Sequence, residues 1–311
     1  MAIIIFFLIC ISRQNYAANN YVTICPRTGQ FAGSQFGGQL WAVCKVLGFA
    51  WSNDLIPIFS TTMLFGAKGG ELNYKHLFFR INQHFPSEIK FSEELIHIGS
   101  SRFVTYDNYW GYDVCLCGVD HEVPYFINYR DRIKEILIPS DEITQQIHAK
   151  YFDIINHPKT VAVHLRTYHP SYPMHHFLGK KYFMDAMNQF SDDHLFVIFS
   201  DRIDWCKKEF SNEKKNIVFI EGNNHIIDFF LMTYCKNIII SNSSFSWMAA
   251  FLKKDDNGLV LAPARRFPEG HIIGPEDVYF LPEWLILPLN EHQPNYDLLK
   301  YETTSIDEKG K

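Results

Sequence analysis

The strongest constraint on this chain is an alternation in its second half. Apolar runs at 161–165 (broken only by His164), 195–199, 217–220, 238–240 and 259–261 are separated by stretches with helical spacing. Phe183, Ala186, Met187 and Phe190 recur at the helical period, as do Ile226, Phe229, Phe230 and Tyr234, and 203–210 and 245–252 have the same pattern. An apolar run without polar alternation needs cover on both faces. Such runs joined by helices predict a parallel sheet flanked by helices on each side. Residues 158–295 are therefore expected to form a Rossmann-like α/β domain.

The first half is less regular. Residues 21–25 and 55–59 predict strands. Between them a Gly-rich turn (Gly29, Gly33, Gly37, Gly38) leads into a helix through Leu40, Val43, Cys44 and Leu47. Short aromatic strands are expected near 102–106 and 123–128. Ser140 can cap a helix whose apolar positions are Ile143, Ile147, Tyr151 and Ile154. Asn156-His157-Pro158 should end it, because the residue before a proline avoids the α region. The expected division is thus 19–157 and 158–295, with 1–18 preceding the fold and a polar tail at 296–311.

Charge excludes some function classes. Lys and Arg total 29 against 34 Asp and Glu, a net of −5 over 311 residues, with no basic stripe of the kind that holds nucleic acid. The apolar run at 2–11 is about half the length that a bilayer-crossing helix requires. It fits the hydrophobic region of a signal peptide or short membrane-targeting segment, and Tyr16-Ala17-Ala18 supplies small residues for cleavage; the alternative is a buried first strand. Targeting would imply a membrane-associated or secretory location, Golgi-type in a eukaryote. In a bacterium the cytoplasm or the inner-membrane face is expected. Of the 7 cysteines, Cys115 and Cys117 are a close pair, but no second pair has finger-like spacing. Buried thiols are expected in place of structural zinc.

No P-loop, His-Glu-x-x-His, Gly-x-Ser-x-Gly or complete Gly-x-Gly-x-x-Gly occurs, and there is no Asp-x-Asp pair for a metal-bound nucleotide sugar. Three constellations remain. Ser241-Asn242-Ser243-Ser244-Phe245-Ser246-Trp247 stands where an apolar strand meets a helix, so its hydroxyls and free helix N–H groups suit an anion; the alternative is an ordinary Ser-capped helix. His164-Leu165-Arg166 ends the first strand of the same domain. Alternation puts His164 and Arg166 on one face at the carboxyl edge, where ligands of open α/β sheets bind. The third, Gly29 to Gln39 with Gly33, Ser34 and Gln35, allows close backbone approach to a ligand or makes only a tight turn.

Ile198-Phe199-Ser200-Asp201 with Trp205-Cys206-Lys207, then Asp228 to Met232 with Cys235-Lys236, then Ser241 to Trp247 resemble glycosyltransferase family 11, the α-1,2-fucosyltransferases. Asp277 to Trp284 is similar to that family's closing strand, and Gly29 to Gln39 to its Gly-Asn-Gln entrance. The resemblance implies a GT-B-like fold of two Rossmann-like domains, with the donor site in the cleft. It implies GDP-fucose as donor substrate, a galactose-type glycan hydroxyl as acceptor, transfer with inversion, and no metal or other cofactor. Arg166 and His164 would be catalytic, with Arg166 on the β-phosphate and His164 ordering the nucleotide side. Ser243, Ser244 and Phe245 would contact phosphate and Asp228 the guanine edge. The chain departs from the family's His-x-Arg-Arg-x-Asp: Thr167 stands at the second arginine and His169 at the aspartate. Losing a fixed charge beside a diphosphate costs about 1.5–3 kcal/mol, which Arg265 or Arg266 could offset. Another nucleotide sugar, or a non-catalytic glycan- or nucleotide-binding protein, fits the same fold. His169, His175 and His176 lack metal-like spacing, while Tyr106–Trp110 and Tyr168–Tyr172 offer rings for sugar stacking or anchoring.

Overall fold

A computed structural model describes residues 20–25, 30–88, 95–98, 113–117, 123–167, 177–265 and 279–289. The expectations for 1–18, 102–110, 168–176, Gly29, Arg266, Asp277 and 296–311 lie outside them. The chain divides into two compact units, Met1–Thr144 and Gln145–Lys311.

In the first unit, β1 (Tyr21–Ile24) is followed by a one-turn helix, Gln30–Gly33, and then by α1 (Phe36–Ser52). Every residue of α1 from Phe36 to Ala50 is buried. Apolar character on all sides is what places a helix at the centre of a layer. Strands β2 (Ile56–Pro57), β3 (Leu95–Ile98) and β4 (Asp113–Leu116) complete a sheet of order β2-β1-β4-β3. The helix capped by Ser140, α2 (Asp141–Lys150), begins as expected, with Ser140 Oγ accepting from the Ile143 N–H at 3.4 Å.

One expected strand is not a strand. Val123–Tyr125 and Ile127–Tyr129 are 3₁₀ turns. Pro124 cannot donate to a ladder, and the segment packs instead on α1. Gly48 makes room for it, since a Cβ there would lie 2.0 Å from the Tyr125 carbonyl oxygen. Phe126 meets Trp41 edge-on at 5.5 Å. Tertiary packing outweighs the aromatic, β-like composition here.

The second unit carries β5 (Thr160–Leu165), α3 (Gly179–Met187), β6 (Leu195–Ser200), α4 (Ile203–Phe210), β7 (Asn216–Phe219), α5 (His225–Tyr234), β8 (Asn237–Ile239), α6 (Ser244–Phe251), β9 (Val260–Pro263) and β10 (Leu285–Leu287). Sheet order is β10-β9-β8-β5-β6-β7, and every pairing among the described strands of both units is parallel. In order of appearance, these strands read third, second, first, fourth, fifth, sixth across the sheet, the doubly wound Rossmann arrangement. Val161, Val163, Leu165, Phe196 and Ile198 pack one sheet face against Phe183, Met187, Trp205 and Phe210. The closing strand is displaced from its expected position: Tyr279 to Trp284 form turns, and the strand follows them at Leu285–Leu287. The turn is held by α6, where Trp247 Nε1 donates to the Tyr279 carbonyl at 2.9 Å and its ring lies 5.1 Å from that of Trp284. Among the described residues, no helix is long and apolar enough to cross a membrane.

Candidate active site

In the second unit the chain leaves β5 towards β6 and β7, then crosses back to β8, β9 and β10 on the other side. The crevice at the carboxyl ends of β5 and β8 is therefore the topological switch point, where doubly wound sheets bind ligands. Both phosphate-type constellations read from the sequence arrive there. His164 is the fifth residue of β5 and Arg166 follows the strand; Ser241 to Ser244 lead from β8 into α6.

His164 Nδ1 lies 3.1 Å from Ser241 Oγ, joining the two strand ends directly. Ser241 is held in turn by Ser246, whose Oγ accepts from the Ser241 N–H at 3.3 Å. The Phe245 ring lies 5.3 Å from the imidazole and 5.4 Å from Phe229 of α5. Burial, reinforced by the nearby Arg166 charge, pushes the His164 imidazole from 6.5 down to about 3. A group titrating there is neutral at physiological pH. It can orient and pack, but it is poorly matched to proton transfer.

The Ser-rich junction folds as an N-cap. Ser243 is extended (φ −116°, ψ 132°) and its Oγ accepts from the Phe245 N–H at 3.3 Å. A short polar side chain that caps without a formal charge leaves the positive end of the helix open to an anion. Ser243 is buried, whereas Ser244 and Phe245 are partly exposed at this edge.

Arg166 is organised by a residue that the sequence reading did not place in the site. Its Nη1 lies 3.0 Å from Asp201 Oδ2, just past the end of β6. Thr167, at the position where the resemblance sets a second arginine, donates from its backbone N–H to Asp201 Oδ1 at 3.0 Å and from Oγ1 to Oδ2 at 3.1 Å. Asp201 thus fixes both residues that follow β5. Arg166 and Asp201 are 36% and 26% exposed, so the pair acts more through orientation than through net stability. A guanidinium carries five N–H donors in a fixed fork, more than one carboxylate contact uses. The detectable signal for Asp201 was an acid at the carboxyl end of a continuous apolar strand beside β5.

The other expected residues are distributed differently. Asp228 lies on α5 and accepts from Asn223 Nδ2 at 2.8 Å, and burial raises its carboxyl above the ordinary range. Asn223 also bonds Tyr151 and Lys150, so Asp228 belongs to a network distinct from the His164–Ser241 pair. Arg265 follows β9 on the same sheet edge. In the first unit, Gly33 and Gln35 are exposed and Ser34 half-buried, at the short connection into α1. A Cβ on Gly33 would meet nothing within 4 Å, so a tight turn is not the reason for a glycine there. The Ser34 carbonyl accepts from the fully buried Gln39 Nε2 at 2.8 Å, while Gln39 Oε1 accepts from Asn73 Nδ2 at 2.9 Å.

Comparison with known proteins bears on these sites. The sequence model described as "Glycosyl transferase family 11" matches residues 79–287. An alpha-1,2-colitosyltransferase of Escherichia coli is 34% identical over 46% of this chain and 52% of its own length. The galactoside 2-alpha-L-fucosyltransferase SEC1 of Bos taurus is 30% identical over 35% of this chain and 31% of its own. The chain thus spans about half of the first relative, and less of the second. The crystal structure of the fucosyltransferase NodZ from Bradyrhizobium superposes with a TM-score of 0.51 at 12% identity, covering 75% of this chain and 93% of that one. At that identity the likeness speaks to the fold, which is GT-B-like.

Proposed function

The chain belongs to glycosyl transferase family 11, and from that membership we propose that it transfers fucose from GDP-fucose to a galactose-type hydroxyl of a glycan. The transfer we propose makes an α-1,2 linkage with inversion at the anomeric carbon. The observation that carries this reading is the convergence of Arg166, the His164–Ser241 bond and the Ser243-capped start of α6 on one switch-point crevice. Arg166 is the catalytic residue in this reading. As the acceptor oxygen attacks the anomeric carbon and the bond to phosphate breaks, negative charge grows on the departing diphosphate. A guanidinium held in place by Asp201 and amides at the head of α6 stabilise that charge more in the transition state than in the ground state. His164, neutral and bonded to Ser241, orders the nucleotide side, with Ser244 and Phe245 as further phosphate contacts and Asp228 at the guanine edge. No metal is required for this step.

A second donor is favoured by one observation, the colitosyltransferase relative. Transfer of colitose in place of fucose would use the same diphosphate machinery and differ only at the sugar ring. Incubating the full chain with a panel of nucleotide sugars and a β-galactoside, followed by mass spectrometry and linkage analysis, separates the two. A 2-linked fucosyl product supports the first reading and a colitosyl product the second. No transfer and no donor hydrolysis with any member would overturn both.

A further inference from the structure

A second cluster lies at the carboxyl edge of the other sheet. Register accounts for it. Thr23 of β1 and His97 of β3 are both paired with Cys115 of β4. One step beyond, the Cys25 N–H donates to the Leu116 carbonyl and the Cys117 N–H to the Ile98 carbonyl, continuing both ladders. Side chains two residues apart on a strand share a face, and registered residues of parallel neighbours share it too. Cys25, His97, Cys115 and Cys117 therefore project from one face of three adjacent strands, β1, β4 and β3.

The distances match a coordination shell. One ligand atom from each of the four, three Sγ and one imidazole nitrogen, all lie within 4.8 Å of one another. His97 Nδ1 is 3.7 Å from Cys25 Sγ and 3.6 Å from Cys117 Sγ. A tetrahedron with metal–sulfur bonds of about 2.3 Å and metal–nitrogen bonds of about 2.0 Å has nitrogen–sulfur edges of about 3.5 Å. Cys25 and Cys115 are buried, Cys117 is half-buried, and exposed His97 closes the outer side. Lys45 is buried in α1 with its ammonium 4.7 Å from the Tyr125 ring, and its charge acts on the Cys117 side of the cluster. Three thiolates with a divalent ion carry one net negative charge, which one lysine balances.

We propose that Cys25, His97, Cys115 and Cys117 bind a structural zinc ion that ties β3 and β4 to the end of β1. A set of three thiolates and one imidazole selects zinc over the oxygen-seeking magnesium and calcium, and four protein ligands close the shell against catalysis. This reverses the expectation drawn from cysteine spacing. Finger-like spacing reports ligands on one local hairpin, whereas these ligands come from three strands brought together only by the sheet.

The test uses the full chain, made without a polyhistidine tag and assayed for metal by plasma mass spectrometry. About one zinc per chain is expected, with Cys117→Ser and His97→Ala each falling below about 0.2 and Cys206→Ser, in the other unit, keeping the full amount. Because a variant can fail to fold, the unsubstituted chain is also loaded with cobalt(II). A thiolate-to-cobalt charge-transfer band with intense tetrahedral d–d absorption supports the site. Zinc-free protein showing no such bands, an intact mass two hydrogens short (a disulfide within the cluster), or a His97→Ala spectrum identical to the unsubstituted one would overturn it.

Discussion

The two units place chemistry at the same position in their sheets and use opposite residues to do so. In the second, the carboxyl edge at β5 and β8 carries a guanidinium, hydroxyls and a helix start, a set that suits an anion. In the first, the edge at β1, β4 and β3 carries thiols and an imidazole, a set that suits a soft cation. Topology chooses where a site can form, because parallel strands end together at an edge that no further strand covers. Residue type then chooses what the site holds.

Trp247 offers the largest expected break in the comparison. It is fully buried on α6, stacked on Phe251 at 5.5 Å and bonded to the Tyr279 carbonyl. Trp247→Ala should cost about 3–5 kcal/mol of stability in denaturant unfolding. Zinc content per folded chain should stay unchanged, because the cluster lies in the other unit.

His164 gives the next effect, and its sign is fixed. The folded imidazole titrates near 3, while the unfolded one titrates near 6.5. Between those values only the unfolded chain takes up the proton. The stability that comes from burying a neutral His164 is therefore full above pH 6.5 and is lost as pH falls towards 3. Melting curves at pH 7.5 and pH 5 should show a larger drop for the natural chain than for His164→Asn.

Ser243→Ala removes one helix cap and should cost about 1 kcal/mol, read as a melting shift of about 2–4 °C for a chain of this size class. Gly33→Ala should give the smallest change, within about 0.5 kcal/mol, since nothing lies near the added methyl group. If transfer nevertheless slows while stability holds, the entrance connection serves the acceptor and not the fold.

The second unit was legible in the sequence because its strands are doubly covered. A buried parallel strand must be apolar throughout, so each run marks itself, and the helices between follow by spacing. The first unit was less so. Its 123–129 segment has strand-like composition, but Pro124 and the space above Gly48 make it two 3₁₀ turns. Asp201 and the zinc cluster were missed for one shared reason. Each depends on pairings between strands distant in sequence, Asp201 with the residues after β5 and Cys25 with β4 and β3. His164 and Ser241 were found because each sits at a strand end that the apolar pattern marks.

Calorimetric titration with GDP tests the central claim most directly, comparing the natural chain with Arg166→Ala. The half-exposed Arg166 contributes little to folding, so both should melt within a few degrees of each other. Losing its charged contacts to the diphosphate should weaken GDP binding by about 100-fold, two decades of affinity, while zinc content remains the same. Equal GDP affinity in the two proteins would contradict the placement of the diphosphate at the β5 and β8 edge.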